Sequence, residues 1–240
     1  MNLLINGIKG NMGRSIRELA LKDKFWERVD GLTRENPKPM EDIQYHVLLD
    51  FSHESALDKV LTIGLEKRIP LLIGTTGYND NQLEKIKAAS KEIPILYATN
   101  MSIGMNLLFS LVEEIARKIG RDVDIEIIEA HHNRKKDAPS GSAMTIAEAI
   151  EKGLRDKRKY QYGRQGQCPR EKGEIGIHAI RGGNIVGYHE ANFIGELESI
   201  KISHEAYDRK VFARGALEAA KFLIGKEAGL YSMRDVLNFN

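Results

Sequence analysis

The chain has a single cysteine and no apolar run long enough to cross a membrane. Because Cys168 has no second cysteine with which to pair, an intrachain disulfide is excluded. The sequence also shows no signal peptide, internal repeat or low-complexity segment. These absences predict a soluble protein of the reducing cytoplasm, with no membrane as partner.

An excess of charge of one sign is also missing. The 240 residues contain 36 Lys and Arg and 34 Asp and Glu, for a net charge of +2. So balanced a composition gives no reason to expect nucleic acid or an anionic membrane as a partner. The length is sufficient for one large domain or two modest domains with real hydrophobic cores.

One short segment concentrates chemically active side chains. Residues 129–143 read EAHHNRKKDAPSGSA, which places two adjacent histidines, two lysines and a Pro-Ser-Gly-Ser turn before an amphipathic pattern. Apolar residues at helical spacing predict a helix at about Ser142–Leu154, with Ser140 as a candidate N-cap. The backbone N–H groups of Gly141 and Ser142 would then lie at the positive end of the helix, where carboxylates and phosphates bind readily.

The residues before this turn supply protons and positive charge. Apolar and acidic residues alternate over residues 122–129, which predicts a half-buried strand and brings His131 and His132 to a strand-to-loop transition. Histidines can donate protons near neutral pH, and Lys135 and Lys136 add cations. For any one of these residues a solvated basic loop is the alternative, but the combination favours binding and protonation of an anionic substrate. We expect no metal here, because adjacent histidines without further ligands at zinc spacing lack the usual pattern.

The amino terminus predicts a dinucleotide site. A short apolar run, Leu3–Ile5, is followed by the glycine-rich stretch Asn6–Gly13 and by an apparent amphipathic helix. Strand, glycine-rich turn and helix are the context that a dinucleotide fingerprint requires. The glycines are Gly7, Gly10 and Gly13 rather than the G-x-G-x-x-G form, so a tight turn that serves only packing is the alternative.

The first half of the chain continues as alternating strands and helices. Strands are predicted at Val29–Leu32, His46–Phe51, Pro70–Ile73 and Ile93–Tyr97, and helices at Ser55–Lys67 and Asn81–Lys91. Such alternation predicts a parallel sheet that binds ligands at the carboxyl ends of its strands. Gly74, Thr75, Thr76 and Asn100 lie at such ends, although Gly74–Gly77 is also typical of an ordinary turn.

The end of the second predicted strand bears on the choice of cofactor. The residue that meets the adenosine ribose should lie there, and the chain has Thr33 and Arg34, with no acidic residue unless the strand ends at Asp30. Arg34 together with Lys9 favours a 2′-phosphate and therefore NADPH. The choice between NADPH and NADH stays open at this point.

The pattern changes after about Asn100. A helix is predicted at Met105–Lys118, followed by the strand at 122–129 and three strands near 176–181, 185–193 and 196–203 that are typical of antiparallel hairpins. A final helix, Lys210–Gly225, is predicted to return to the first domain. The expected fold class is α/β: a Rossmann-type parallel sheet domain, residues 1–101 with 210–240, and an α+β substrate-binding and oligomerisation domain, residues 102–209. The sheet of this second domain is expected to be mixed and largely antiparallel.

The motifs together resemble one enzyme family. EAHHNRKKDAPSGSA, GIKGNMGR, GTTG and ATNMSIGMN are similar to the motifs of the 4-hydroxy-tetrahydrodipicolinate reductase (dihydrodipicolinate reductase) family. The likeness spans nearly the whole chain, and the H-H-x-x-K-x-D-A-P-S-G-[ST] run is highly specific to that family.

The resemblance implies roles for individual residues. It implies that His131 and Lys135 donate the proton and that His132, Gly141 and Ser142 contact the substrate. Arg181 and Arg209 resemble further residues of the family's substrate domain. The positions that match its nicotinamide-dinucleotide contacts are Gly7, Ile8, Lys9, Gly10, Asn11, Met12, Arg34, Gly74, Thr75, Thr76, Ala98, Thr99, Asn100 and Met101.

Three departures from the family pattern concern the cofactor and the fold. Many members carry an acidic residue followed by Arg after the second strand, whereas this chain has Thr33-Arg34, which favours NADPH or the use of both cofactors. Met101 stands where an aromatic residue is frequent. The connection from Arg34 to His46 is short, which predicts that one βα excursion of longer members is missing.

The implied activity is the NAD(P)H-dependent reduction of 4-hydroxy-tetrahydrodipicolinate to tetrahydrodipicolinate, with loss of water, in the diaminopimelate route to lysine. The substrate is a small cyclic imine with two carboxylates, and family members form homotetramers. One alternative is another NAD(P)-dependent reductase or dehydrogenase, such as an aspartate-semialdehyde-type enzyme, which would need a nucleophilic cysteine beside a histidine; Cys168 has no histidine near it in the sequence. A second alternative, a non-catalytic dinucleotide sensor, would have no use for His131, His132 and Lys135 beside an anion-binding turn.

Overall fold

The change of pattern along the sequence corresponds to two separate structural units. A computed structural model describes residues 1–239. The first unit consists of Met1–Ile103 together with the segment that begins at Lys210, and the second unit is Gly104–Arg209. The sequence placed the first boundary at residue 101.

The strands of the described chain are β1 (Asn2–Asn6), β2 (Arg28–Leu32), β3 (Val47–Asp50), β4 (Leu71–Ile73), β5 (Pro94–Tyr97), β6 (Asp124–His131), β7 (Tyr160–Tyr162), β8 (Ile175–Arg181), β9 (Gly187–Ile194), β10 (Ser199–Ala206) and β11 (Gly229–Tyr231). The helices are α1 (Asn11–Ala20), α2 (Leu57–Lys67), α3 (Asp80–Ala89), α4 (Ile103–Ile119), α5 (Gly141–Leu154), α6 (Lys210–Leu223) and α7 (Met233–Val236). A single 3₁₀ turn, Glu54–Ala56, precedes α2.

The first unit contains a parallel sheet covered by helices on both faces. Its strand order is β11-β5-β4-β3-β1-β2, and every pairing is parallel. The central strands are almost continuously apolar, as expected where both faces of a sheet are buried. Ile16 of α1 and Ala216 of α6 belong to one core cluster, and Val60 of α2 and Ile86 of α3 belong to another. The carboxyl ends of all six strands therefore lie along one edge of this sheet.

The second unit contains a mixed sheet in the order β10-β9-β6-β8-β7. Strand β6 lies at its centre, antiparallel to β9 and parallel to β8. Ile125 and Ile127 of β6 share a core cluster with Val112 of α4 and Ile146 of α5, so the two helices cover this face. The opposite face carries residues of the other parity: Ile128 of β6, with Ile180, Tyr188 and Ile194 on its neighbours.

One predicted pairing is wrong. The strands near 176–181 and 185–193 do not form a hairpin, because β6 lies between β8 and β9. Strand β6 is rich in isoleucine and takes the central place in the sheet. The amide of Gly182 donates to His131 O and the amide of Asn133 donates to Gly183 O, so the Gly182–Asn184 turn packs against the end of β6. Two pairings in this sheet are antiparallel, β10 with β9 and β9 with β6, and two are parallel, β6 with β8 and β8 with β7.

The other major expectations for the fold are confirmed. The Rossmann-like parallel sheet and the second, mixed sheet are both present. Helix α5 begins one residue before its predicted start, and residues 33–46 contain neither helix nor strand in the described chain, as the short connection predicted. The short elements β7, β11 and α7 were not predicted, because three or four residues carry too little periodicity to detect.

Candidate active site

Ser140 caps the helix that follows the two histidines. The amide of Ala143 donates to Ser140 Oγ at 3.2 Å, which confirms the predicted N-cap. Gly141 and Ser142 are the first two residues of α5 and lie at its positive end. Apart from its chain neighbours and the nearby backbone of α5, no atom of residues 1–239 lies within 4 Å of the point that a Cβ on Gly141 would occupy. An anion can therefore approach the backbone at this end of the helix.

A fully buried carboxylate holds the turn and the first histidine together. Glu129 has no exposed surface, and its Oε1 accepts from the amide of Ser140 at 3.1 Å. Arg181 donates to both carboxylate oxygens, at 2.8 and 2.7 Å, in the bidentate geometry that suits a guanidinium group. Burial raises the pKa of Glu129, but hydrogen bonds from His131 and Arg181 outweigh it and hold the pKa at about 2.

The same carboxylate determines the tautomer of His131. His131 Nδ1 lies 2.6 Å from Glu129 Oε2, and an ionised carboxylate can only accept, so Nδ1 carries a proton. The other ring nitrogen, Nε2, lies 3.4 Å from the point that a Cβ on Gly187 would occupy. His131 therefore presents Nε2 beside a glycine, the residue that leaves the most room for a ligand.

His132 is oriented by an arginine. Burial, followed by the charges of Arg134 and Arg209, lowers the pKa of His132, which favours a neutral ring at neutral pH. Arg209 Nη2 lies 3.4 Å from His132 Nε2, and because arginine can only donate, Nε2 accepts and Nδ1 carries the proton. Nδ1 is buried with no hydrogen-bond partner among residues 1–239. The Nδ1 proton of His132 is therefore an unsatisfied buried donor in this loop.

The two neighbouring lysines have different surroundings. Lys135 is partly buried, and its Nζ lies 2.9 and 2.8 Å from the two carboxylate oxygens of Asp137. The hydrogen bond from Lys135 is the largest effect that lowers the pKa of Asp137. Lys136 is exposed. Arg181 Nη2 also donates to Asp137 O at 2.7 Å, so the arginine that binds Glu129 also holds this loop.

Two residues of this cluster were missed or underestimated by the sequence reasoning. Glu129 was recognised only as part of the motif, although it continues the Ile125 and Ile127 parity and so falls on the buried face of β6. An acidic residue at a core position of a strand was the signal that could have identified it. His189 was not noticed at all: it is 5 % exposed, and its Nε2 lies 2.9 Å from Ser140 Oγ. No signal in the sequence pointed to it, because it is distant from the motif along the chain.

The glycine-rich turn of the first unit has the shape expected of a phosphate-binding turn. Gly7 has φ +84°, and a Cβ there would lie 2.5 Å from Phe51 O, so only glycine fits. A Cβ on Gly13 would lie 2.2 Å from Gly7 O, which shows how closely α1 approaches the turn. Gly10 is the N-cap of α1, and the first turn of that helix contains no acidic side chain. The residues therefore fit a dinucleotide whose phosphates rest on the N-terminus of α1.

Asp50 connects the carboxyl ends of three neighbouring strands. It is fully buried. Its Oδ1 accepts hydrogen bonds from Asn6 Nδ2 at 2.7 Å and from Ser52 Oγ at 2.6 Å. Its Oδ2 accepts a hydrogen bond from Thr75 Oγ1 at 2.7 Å. A cavity of about 350 Å³ opens beside this network. Its lining includes four predicted cofactor residues: Met12, Gly74, Thr75 and Thr76. The structure thus brings the first and third predicted cofactor segments to one place on the sheet edge, with the Thr75 hydroxyl already engaged by Asp50.

Other predicted cofactor residues have different surroundings. Ala98, Thr99 and Asn100 follow the end of β5 at the same sheet edge. The side chain of Met101 is 3 % exposed and belongs to the core cluster of the first unit. A contact between Met101 and a ligand would therefore have to use its backbone.

An unpredicted acidic residue stands beside Arg34. The Nζ of Lys9 lies 3.1 Å from Glu35 Oε2, which joins the glycine-rich turn to the segment after β2. Hydrogen bonds from Thr33 and from its own backbone, together with Lys9, lower the pKa of Glu35 to about 2. Asp30 is engaged elsewhere, by Arg28 at 2.5 Å and by the Tyr45 hydroxyl at 2.7 Å. Arg34 is exposed. The region thus contains both signs of charge, whereas the predicted 2′-phosphate site depended on Arg34 and Lys9 alone.

Nearly the whole chain matches known family models and curated relatives. Residues 1–101 match the model of the dihydrodipicolinate reductase N-terminus, and residues 104–237 match the model of the C-terminus. The chain belongs to the dihydrodipicolinate reductase family. It is 62 % identical to the 4-hydroxy-tetrahydrodipicolinate reductase of Alkaliphilus oremlandii (strain OhILAs), over 99 % of each chain. It is 60 % identical to that of Alkaliphilus metalliredigens (strain QYMF), also over 99 % of each chain. The resemblance inferred from the motifs is confirmed.

A solved structure supports the fold of this reductase family. Dipicolinate-bound dihydrodipicolinate reductase from Paenisporosarcina sp. TG-14 superposes with a TM-score of 0.79 at 22 % identity, covering 100 % of this chain and 99 % of the other. At this identity the likeness shows the fold.

The described residues also bear on two other classes of protein, metal-binding and membrane-spanning. Within residues 1–239, no group of three or more His, Cys, Asp or Glu side chains is arranged to hold a metal ion. None of the helices in the same part of the chain is both long and apolar enough to span a bilayer. Cys168 is a free thiol in the loop between β7 and β8.

Proposed function

We propose that this chain reduces 4-hydroxy-tetrahydrodipicolinate to tetrahydrodipicolinate, with loss of water and with NAD(P)H as reductant, in the diaminopimelate route to lysine. The observation that carries the proposal is the buried Glu129 carboxylate, which holds both His131 and the amide of Ser140 at the start of α5. A proton donor and an anion-binding helix end are thereby fixed to the same group. The membership of the family and the identity to reductases over 99 % of the chain support the same activity.

The substrate is a ring with two carboxylates, and the second unit offers matching donors. One carboxylate rests on the amides of Gly141 and Ser142 at the positive end of α5. Hydrogen bonds to a carboxylate are roughly twice as strong as neutral ones. The Nδ1 proton of His132 and the Lys135 ammonium are further donors on the same loop. Pyridine-2,6-dicarboxylate, a planar mimic of the ring, is therefore a suitable binding probe.

Reduction needs a proton as well as a hydride. When bound, a reduced nicotinamide cofactor would supply a hydride to the ring carbon that is conjugated with the imine once water has left. The ring then gains electron density, which a proton from His131 Nε2 or Lys135 neutralises. Glu129 stabilises the positive charge on His131 before that transfer and holds the ring in one orientation afterwards. General acid assistance of this kind contributes roughly 10²- to 10⁴-fold.

The cofactor is proposed to lie on the first unit, against the turn at Gly7–Met12 and the residues Gly74–Thr76. Arg34 is available to a 2′-phosphate, whereas Glu35 can accept from a 2′-hydroxyl. With both signs of charge at this place, we propose that the chain uses NADPH and NADH.

The second unit is proposed to form a homotetramer through the face of its sheet that α4 and α5 leave uncovered. That face exposes apolar side chains, with Ile180 51 % and Ile194 41 % exposed. An antiparallel or mixed sheet with one uncovered apolar face gains stability when another copy covers it. A cytoplasmic location, where the nicotinamide cofactors are available, is part of the same proposal.

The activity is tested with substrate formed in situ from pyruvate and aspartate semialdehyde by the preceding synthase, while NADPH or NADH oxidation is followed. Lys135→Ala is compared with Lys136→Ala, which removes the neighbouring exposed charge. We expect Lys135→Ala to lower kcat by roughly 10²-fold or more, Lys136→Ala to remain within a few-fold of wild type, and both to bind cofactor normally. Absence of turnover by wild type with either cofactor would contradict the proposed function.

A further inference from the structure

His189 lies directly across the sheet from Glu129. The two residues are register partners on β9 and β6, and both are buried, with His189 5 % exposed and Glu129 fully covered. Register partners in neighbouring strands direct their side chains to the same face, so both point toward the face that α5 covers. Ser140, at the start of α5, contacts both of them.

The two contacts hold different groups of Ser140. Its amide donates to Glu129 Oε1 at 3.1 Å, whereas its Oγ lies 2.9 Å from His189 Nε2. Ser140 Oγ already accepts from the amide of Ala143, so its own proton is available to His189 Nε2. Burial lowers the pKa of His189 to about 4, which is consistent with a neutral ring that accepts at Nε2. The hydroxyl that caps the helix is thus fixed from two sides.

His189 also stands against the first catalytic histidine. The ring centroids of His131 and His189 are 5.2 Å apart at an interplanar angle of 75°. One buried side chain therefore contacts both the N-cap of the anion-binding helix and the ring of the proton donor.

We propose that His189 is a positioning residue that holds Ser140, and through it the Gly141–Ser142 end of α5, in the geometry that binds a substrate carboxylate. This proposal rests on the proposed function. Because His189 acts through the binding turn, its loss should raise KM for the dicarboxylate substrate more than it lowers kcat. It should leave the affinity for the nicotinamide cofactor unchanged.

The matched variants differ in whether they keep an acceptor near Nε2. His189→Leu removes it, whereas His189→Gln can place its amide oxygen near the same point. We expect His189→Leu to raise KM and the dissociation constant of pyridine-2,6-dicarboxylate by roughly 3- to 10-fold, the effect of one neutral hydrogen bond. His189→Gln should recover most of that loss. An unchanged KM and probe affinity in His189→Leu, or equal losses in both variants, would overturn the proposal.

A double-mutant cycle tests whether the effect passes through Ser140. If it does, Ser140→Ala with His189→Leu should bind the probe no more weakly than Ser140→Ala alone. Losses that multiply would show that His189 acts independently of Ser140 and would overturn the proposal.

If His189→Leu does not fold, as judged by circular dichroism, His189→Gln and Ser140→Ala replace it. Near-normal probe binding by His189→Gln and weakened binding by Ser140→Ala is the expected result, and the reverse order overturns the proposal. Wild-type protein that binds the probe without turning over substrate would contradict the proposed function, while the probe affinities would still decide the role of His189.

Discussion

Glu129 Oε2 accepts a hydrogen bond from His131 Nδ1 at 2.6 Å, although the carboxylate is fully buried and the histidine is partly exposed. The two residues are separated by a single position on β6, so the strand itself sets the distance between them. The carboxylate fixes the tautomer of the ring, and hydrogen bonds from His131 and Arg181 lower the pKa of Glu129 and keep it ionised. A ligand therefore meets His131 only through Nε2.

Replacement of Glu129 by Gln should lower activity strongly. The neutral amide cannot stabilise a positive His131 ring, and it leaves the charge of Arg181 without its buried partner. We expect kcat to fall by roughly 10²-fold, with smaller changes in cofactor affinity, as measured by steady-state kinetics and by cofactor titration. Glu126→Gln is the control, because Glu126 is on the opposite face of β6, where it pairs with Arg164 and His178. Equal losses of kcat in the two variants would indicate a general effect on the sheet and contradict the assigned role.

Addition of a methyl group at Gly187 should impair catalysis without preventing folding. A Cβ at this position would meet His131 Nε2 at 3.4 Å, an ordinary van der Waals contact, so the fold can accept it. The methyl group would occupy space beside His131 Nε2, the proposed proton donor. We expect Gly187→Ala to reduce kcat/KM by at least roughly 10-fold, as for other steric obstruction near reacting atoms, with little change in melting temperature. Gly182→Ala is the control, because a Cβ there would have no neighbour within 4 Å among residues 1–239 other than its adjoining chain. Wild-type kinetics in Gly187→Ala would show that substrate does not approach His131 from this side.

Glu35→Gln should shift the choice of cofactor toward NADPH. Glu35 is exposed and ionised beside Arg34, so its negative charge opposes a 2′-phosphate, and its removal also releases Lys9. We expect the ratio of the dissociation constants of NADH and NADPH to rise by a few-fold at low ionic strength and by less at high salt, since exposed charges are screened. Both constants can be measured by fluorescence titration in the absence of substrate. Glu18→Gln, which removes an equal charge paired with Lys22 and Lys210, is the control and should leave the ratio unchanged. A ratio that is insensitive to Glu35 would exclude this residue from the ribose site.

The buried His189 should make stability depend on pH. The groups that face it are His131, Glu129, His204 and Lys135, and burial is the largest effect that lowers its pKa from 6.5 to about 4. The unfolded chain therefore binds a proton at His189 at a higher pH than the folded chain does. This contribution to stability is complete above pH 6.5 and is lost as the pH falls from 6.5 toward 4.

The size of that effect can be measured by urea unfolding at several pH values. The shift corresponds to at most about 3 kcal/mol, and His189→Gln, which does not titrate, should show a flatter dependence between pH 6.5 and 4. Glu129 is an acid rather than a base, but its effect on stability changes with pH in the same direction. Its pKa in the folded chain is lowered to about 2, so its contribution to stability is present above its pKa in the unfolded chain and is lost as the pH falls toward 2. Parallel pH dependences for wild type and His189→Gln would contradict a depressed pKa for His189.

Local sequence predicted much of the chemistry of this protein. The cap at Ser140, the start of α5 and the glycine-rich turn depend on residues within a few positions of one another, so spacing and capping rules suffice to place them. The alternating strands and helices of residues 1–101 predicted the parallel sheet for the same reason. The motif around His131 is specific enough to indicate the family by itself.

The tertiary structure alone decided which distant residues support those motifs. Arg181 and His189 reach Glu129 and Ser140 only because β8 and β9 lie on either side of β6, an order that the turn signals wrongly predicted as a hairpin. Likewise, Lys9 meets Glu35 because β1 pairs with β2. Strand order and register result from burial summed over a whole sheet, and a local pattern does not contain that sum. The sequence by itself therefore determined the turns, the helix ends and which residues are proposed to react, while long-range strand pairing decided what holds them in place.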